Sequence, residues 1–193
     1  MTVLISWTRP KNLKCAWMIL SCLIFSLVSN LSHAQASFDE EDIKAAFLYN
    51  FADFISWPYD GSGSVNRSSL NYCVLSEATV QRSLRSLLTQ EENATLQRNY
   101  VFVSDRTELE DCDLVFLGEG DSSYFDELAA LAASEVLTVG DHSEFLAEGG
   151  MIQLSREQDR IQVIINLDLV NQSGFQVSSQ LLRLVNIYEL NAQ

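Results

Sequence analysis

"CDLVFLGEG", Cys112 to Gly120, decides the fold, because four apolar residues in a row, Leu114 to Leu117, run between an aspartate and a glycine turn. A strand with one wet face alternates apolar and polar side chains, so an unbroken run marks a strand covered on both faces, the habit of parallel sheets. "LNYCVLS", Leu70 to Ser76, "NYVFVSD", Asn99 to Asp105, and "VLTVGD", Val136 to Asp141, read the same way. Between them lie helical patterns. "TVQRSLRSLLTQ", Thr79 to Gln90, turns Val80, Leu84, Leu87 and Leu88 to one side. "SSYFDELAALAAS" begins a helix at Ser122, with Ser123 and Asp126 placed for a capping box. Strands alternating with helices predict a parallel sheet with helices on both faces.

The pattern then changes. "GGMIQLS", Gly149 to Ser155, and "RIQVIIN", Arg160 to Asn166, flank only "REQD", which predicts an antiparallel hairpin. "QVSSQLLRLVNIYEL", Gln176 to Leu190, reads as a closing helix with Leu181, Leu182, Val185 and Tyr188 inside. The expected fold is an α/β three-layer sandwich: a mostly parallel central sheet, a C-terminal antiparallel hairpin and flanking helices.

Ahead of the first strand, "SFDEED", Ser37 to Asp42, places acids at the positive end of a helix dipole. Ile43, Phe47, Phe51, Phe54 and Ile55 follow at three- and four-residue steps on one face, and Pro58 is expected to end the helix. That stripe assigns Phe47, Phe51 and Phe54 to the core. Tyr49 and Trp57 lie off it or at its end and are candidate partner-binding anchors, with Phe175 and Tyr188 as C-terminal candidates.

Residues 1–36 read as a signal peptide. Arg9, Lys11 and Lys14 precede the apolar "CAWMILSCLIFSLVSNL", and "SHAQA" offers cleavage after Ala34 or Ala36. Residues 37–193 are then a single exported domain, with no direct membrane insertion after cleavage. The leader carries three of the twelve basic residues and none of the twenty-six acids, so its loss moves the net charge from −14 to −17. So acidic a chain repels phosphate backbones and anionic membranes, which argues against nucleic acid as a partner. Cys73 and Cys112 remain. In an oxidising compartment a disulfide is the default reading, ahead of two reduced buried thiols.

Catalytic signals are poor. His142 is the one histidine outside the leader, too few for a multi-histidine metal site. "DHS", Asp141 to Ser143, holds triad residue types, but neighbours in sequence seldom converge as nucleophile, base and orienter. "GEGDSS", Gly118 to Ser123, sits where a phosphate cradle would, yet Glu119 and Asp121 put carboxylates in the way. No cofactor, no metal and no enzyme activity are expected. Asn66, Asn93 and Asn171 fit three-residue glycosylation sequons that matter only in a eukaryotic source.

Taken in order, "IKAAFLYNFADFISWP", "YCVLS", "CDLVFLGEG", "VLTVGDHSEFLAEGGMIQL", "IQVIINLDLV" and "QVSSQLLRLV" resemble the YfiR-like family of exported bacterial proteins, over about residues 39 to 188. The resemblance implies a periplasmic inhibitor rather than an enzyme. Such proteins bind the periplasmic sensor part of a YfiN-type inner-membrane diguanylate cyclase, which lowers cyclic-di-GMP signalling and biofilm formation. It further implies sequestration by a YfiB-type outer-membrane lipoprotein, admits a homodimer, and aligns Cys73 and Cys112 with the family's disulfide pair. Relatives with a second pair carry it in the C-terminal half, and this chain has no cysteine after Cys112.

The alternative is a periplasmic small-ligand-binding module without a cyclase partner. Open α/β sheets bind at the carboxyl ends of their strands, here near Ser76, Ser104, Gly118 and Asp141. Arg67, Arg106 or Arg183 would supply a cation for an anionic ligand there.

Overall fold

Alternation along the central strands builds two cores from one sheet. A computed structural model describes residues 39–58, 68–75, 78–90, 96–103 and 106–189. The leader expected over 1–36, together with Arg67, Ser76, Ser104, Asn66 and Asn93, lies outside the described residues. Strand β2, Ser69–Leu75, sends Tyr72 and Val74 to one core and Cys73 and Leu75 to the other. Strand β4, Leu114–Leu117, repeats the device, with Leu114 and Phe116 on one side and Val115 and Leu117 on the other. All four β4 residues are buried, as the unbroken run predicts.

The first core is covered by α1, Glu40–Phe54, and α2, Ala78–Leu88, through Ala45, Leu48, Phe51, Val80 and Leu84. The second is covered by 3-10 turns at Arg106–Asp111 and Glu119–Glu127, by α3, Leu128–Ala133, and by Phe145 and Leu146. The other strands are β1, Ile55–Ser56; β3, Gln97–Tyr100; β5, Leu137–Gly140; β6, Ile152–Glu157; and β7, Arg160–Ile165. The C-terminal segment adds α4, Leu167–Gln172; β8, Gln176–Val177; α5, Ser179–Leu182; and β9, Asn186–Ile187. The large sheet has the order β3-β2-β4-β5-β6-β7-β9, parallel throughout except for the β6–β7 hairpin. The three-layer, mostly parallel α/β expectation holds. A separate antiparallel pair, β1–β8, was not expected.

Four expectations need correction. Helix α1 stops at Phe54 rather than at Pro58, because Ile55 turns extended and pairs with Val177, and Ser178 N donates to Phe54 O at 2.8 Å. Pro58 bars helix at itself and at Trp57 but does not force Ile55 out of it, so tertiary pairing sets this end. Its buried face is Lys44, Ala45, Leu48 and Phe51, which leaves Ile43, Phe47 and Phe54 half-buried. Strand β3 ends at Tyr100 on a sheet edge, so "VFV" is covered on one side only: Val101 and Val103 pack on the second core and Phe102 is 72% exposed. The closing helix is reduced to the single turn of α5, capped by Ser178, whose Oγ accepts from Leu181 N at 3.3 Å.

The same capping chemistry explains two elements that sequence reading misplaced or missed. Asn166 Oδ1 accepts from Leu169 N at 3.1 Å and starts α4. The carboxylate of buried Asp121, and not the Ser123–Asp126 pair, closes the turn after β4 by accepting from Gly118 N at 2.9 Å.

Candidate functional site

Because α1 buries Ala45, Leu48 and Phe51, the half-buried side chains of Ile43, Phe47 and Phe54 and exposed Asn50 form a ridge along its outer flank. A groove runs on each side of that ridge. The first, about 630 Å³, lies against α2 and is lined by Ile43, Ala46, Phe47, Asn50, Arg82, Ser83 and Leu87, among others. The second, about 530 Å³, lies against β7 and the C-terminal segment and is lined by Phe47, Phe54, Ile161, Leu181, Leu184 and Val185, among others. Leu184 at its rim is 82% exposed, and Ile187 two residues after Val185 is 42% exposed. Exposed apolar side chains gathered beside an apolar groove mark an interaction surface more often than isolated ones do.

Buried charge fixes α1 beneath this ridge. Lys44 Nζ donates to Asp141 Oδ2 at 2.7 Å, just after β5, and lies 3.0 Å from Glu40 and 3.8 Å from Glu41. Arg156 of β6 reaches Glu40 at 2.8 Å, so the start of α1 is tied to two strands. Burial alone would lower the Lys44 pKa, but its hydrogen bonds to Asp141 and Glu40 outweigh that and hold it above the ordinary range. Burial pushes the Asp141 carboxyl up, with Lys44 pulling down and Glu119 adding to the rise. Both directions follow from one ammonium shared by three carboxylates: the cation is well compensated and the most buried acid is not.

The four aromatic anchor candidates do not form one surface. Phe175 is a core residue, 1% exposed, and its ring meets Trp57 edge-on at 5.9 Å. It is therefore withdrawn as a surface contact; the α4 cap and the β1–β8 pair fold its segment inward. Trp57 is half-buried and donates Nε1–H to Asp113 O at 3.1 Å, which ties the end of α1's segment to the residue that leads into β4. Tyr49 is half-buried under the Arg98 guanidinium, 4.6 Å from its ring, and Arg98 also holds Asp53 at 2.6 Å. Tyr188 packs on the second core, across the sheet from Tyr49. The residues that line the second groove, Leu184 above all, were missed. Leu184 lay off the inner face of the expected closing helix and was still apolar, which is the signal that was present.

Among the described residues, those proposed for a ligand at the strand ends, Gly118, Asp141, Arg106 and Arg183, are likewise engaged elsewhere. Gly118 N is capped by Asp121, and Asp141 holds Lys44. Arg106 donates to Glu127 at 3.1 Å and to Ser123 O at 2.7 Å, while Arg183 donates to Ser179 O at 3.2 Å. His142 accepts from Glu144 N at 3.2 Å and packs edge-on against Phe125, apart from the Asp141 carboxylate's bond to Lys44. Cys73 and Cys112 are joined by a disulfide within the second core, their Cα atoms 6.0 Å apart. No helix among the described residues is long and apolar enough to cross a membrane.

A conserved domain protein from Vibrio cholerae shares the fold, with a TM-score of 0.50 at 9% identity over 79% of this chain. The chain spans 61% of that protein's length. No curated protein matches the chain. A family model described as YfiR/HmsC-like matches residues 41–186, and by that match the chain belongs to the YfiR/HmsC-like family.

Proposed function

We propose that this protein is a non-catalytic periplasmic regulator that binds the periplasmic sensor domain of a YfiN-type inner-membrane diguanylate cyclase and holds the cyclase off. Family membership supports the class of function. The observation that carries the binding mode is the groove between α1 and the C-terminal segment, with Leu184 and Ile187 exposed beside it. A partner can be restrained only by unequal affinity for its two states, so the groove takes the sensor in its inactive form. Release then requires competition for this chain, the role that a YfiB-type lipoprotein would fill. A second copy of this chain would enter the same scheme as a homodimer that presents two such grooves.

The test is co-purification of the protein with the cyclase's periplasmic domain, paired with cyclic-di-GMP measurement in a deletion strain. Capture of the domain and a rise in cyclic-di-GMP on deletion are expected. Unchanged cyclic-di-GMP in a strain that makes the cyclase would overturn the proposal.

A further inference from the structure

We infer that the groove between α1 and α2 is a binding site for a small amphipathic anion, a hydrocarbon chain or ring carrying a carboxylate. Its volume of about 630 Å³ falls in the range of ligand pockets, roughly 300–1,000 Å³. Ile43, Ala46, Phe47 and Leu87 give it an apolar floor. Ser83 Oγ donates to Asp42 Oδ1 at 2.5 Å across one end, so the two helices are bridged there and that carboxylate is engaged. Arg82 is the cation of the lining, and among the described residues no ion pair engages it.

Length decides between a small ligand and a partner helix. From Ile43 to Asn50 the groove follows two turns of α1, about 10 Å. Isolated helices shorter than about 12–15 residues are marginal in water, and the Asp42–Ser83 bridge stops a longer one from running through. A short amphiphile with its carboxylate at Arg82 fits both limits.

The site has a route to the second groove, because Phe47 and Asn50 line both. The Phe47 ring lies on buried Phe51 at 6.4 Å, so an occupant on one side of it constrains the wall that the other groove offers. The regulatory consequence, a ligand-dependent change in cyclase affinity, rests on the proposed function; the binding itself does not. Coupling of this kind is reciprocal.

The experiment titrates the purified protein with sodium decanoate, and with decanol and decyltrimethylammonium as headgroup controls, by calorimetry below the micelle concentrations of the two ionic amphiphiles and the solubility limit of decanol. One saturable decanoate site per chain is expected, about ten-fold stronger than for either control. The net charge of −14 would favour the cationic amphiphile, so a preference for the carboxylate reports Arg82. Arg82→Gln should weaken decanoate about ten-fold, and Ala46→Trp should abolish binding by filling the floor. Ser86→Trp, at an exposed position of the same lining, is a second blocking variant that leaves the core untouched. Equal binding of all three amphiphiles, no saturable binding, or decanoate binding unaffected by Ser86→Trp would overturn the inference. Leu184→Glu, in the other groove, should leave decanoate affinity unchanged. Loss of cyclase capture in that variant with decanoate binding intact separates this site from the partner site.

Discussion

Lys44 sits on the buried face of a helix whose neighbours there are Ala45, Leu48 and Phe51, and it survives there because Asp141 and Glu40 meet it. Removing one partner of a buried pair strands the other, at a cost of about 3–5 kcal/mol. Lys44→Ala should lose that much in urea denaturation at neutral pH, and Lys44→Met with Asp141→Asn should lose less than Lys44→Ala alone. The pH dependence has a definite sign. The folded state raises the Asp141 pKa above its ordinary 3.8, so it binds the proton more tightly than the unfolded chain does. Asp141 therefore favours folding at acid pH, and that contribution fades as pH climbs through its raised value. The deficit of Asp141→Asn relative to wild type should accordingly shrink as pH rises from below 3.8 through the raised value. Lys44 contributes fully below its ordinary 10.5, and its contribution is lost only as pH rises past the raised value. Gly150 poses a steric question instead: a Cβ there would lie 2.2 Å from Phe145, a ring with no exposure. Gly150→Ala should destabilise by about 1–3 kcal/mol, read as a lower urea midpoint at unchanged slope.

Among the elements, β2 and the entry to β4 are joined twice, by a ladder that pairs Cys73 with Val115 and by the Cys73–Cys112 disulfide. Closing 39 residues of chain removes unfolded-state entropy worth about 4 kcal/mol. The Cys73→Ala, Cys112→Ala variant should lose about that much, and reductant should then leave its unfolding midpoint unmoved while lowering that of wild type. Elements whose pattern is local were legible in the sequence: the apolar run of β4, the turn between β6 and β7, and the inward Val80 and Leu84 of α2. What escaped was set at long range. Phe47 and Phe54 looked like core because large aromatics fit a helical stripe, yet small Ala45 beside Leu48 is what lies against the sheet. The end of α1 depends on Gln176 and Val177, more than a hundred residues away, and no local signal at Ile55 announces them. Edge position likewise cannot be read from "VFV", so Phe102 seemed buried until β3 took the end of the sheet.

At the scale of the whole molecule, the sheet has two edges with an exposed apolar residue near each, and they separate specific docking from general stickiness. Phe102 follows β3 at one edge; at the other, Ile187 lies in β9 and Leu184, two residues ahead of that strand, lines the second groove. Both Phe102 and Leu184 are mostly in solvent, so a glutamate at either should change stability by no more than about 0.5 kcal/mol. Their effects on signalling should differ. A carboxylate at Leu184 would have to be desolvated against Phe47, Phe54 and Ile161 when a partner fills the groove, which buries a charge without a counterion. Leu184→Glu should therefore weaken capture of the cyclase domain by at least about ten-fold, or 1.4 kcal/mol, and bring cyclic-di-GMP close to the level of a deletion strain. Phe102→Glu, at equal expression, should leave both unchanged. Equal effects of the two variants would mean that the groove beside α1 holds no privileged place in recognition, and reversal of the order would move the partner to the β3 edge.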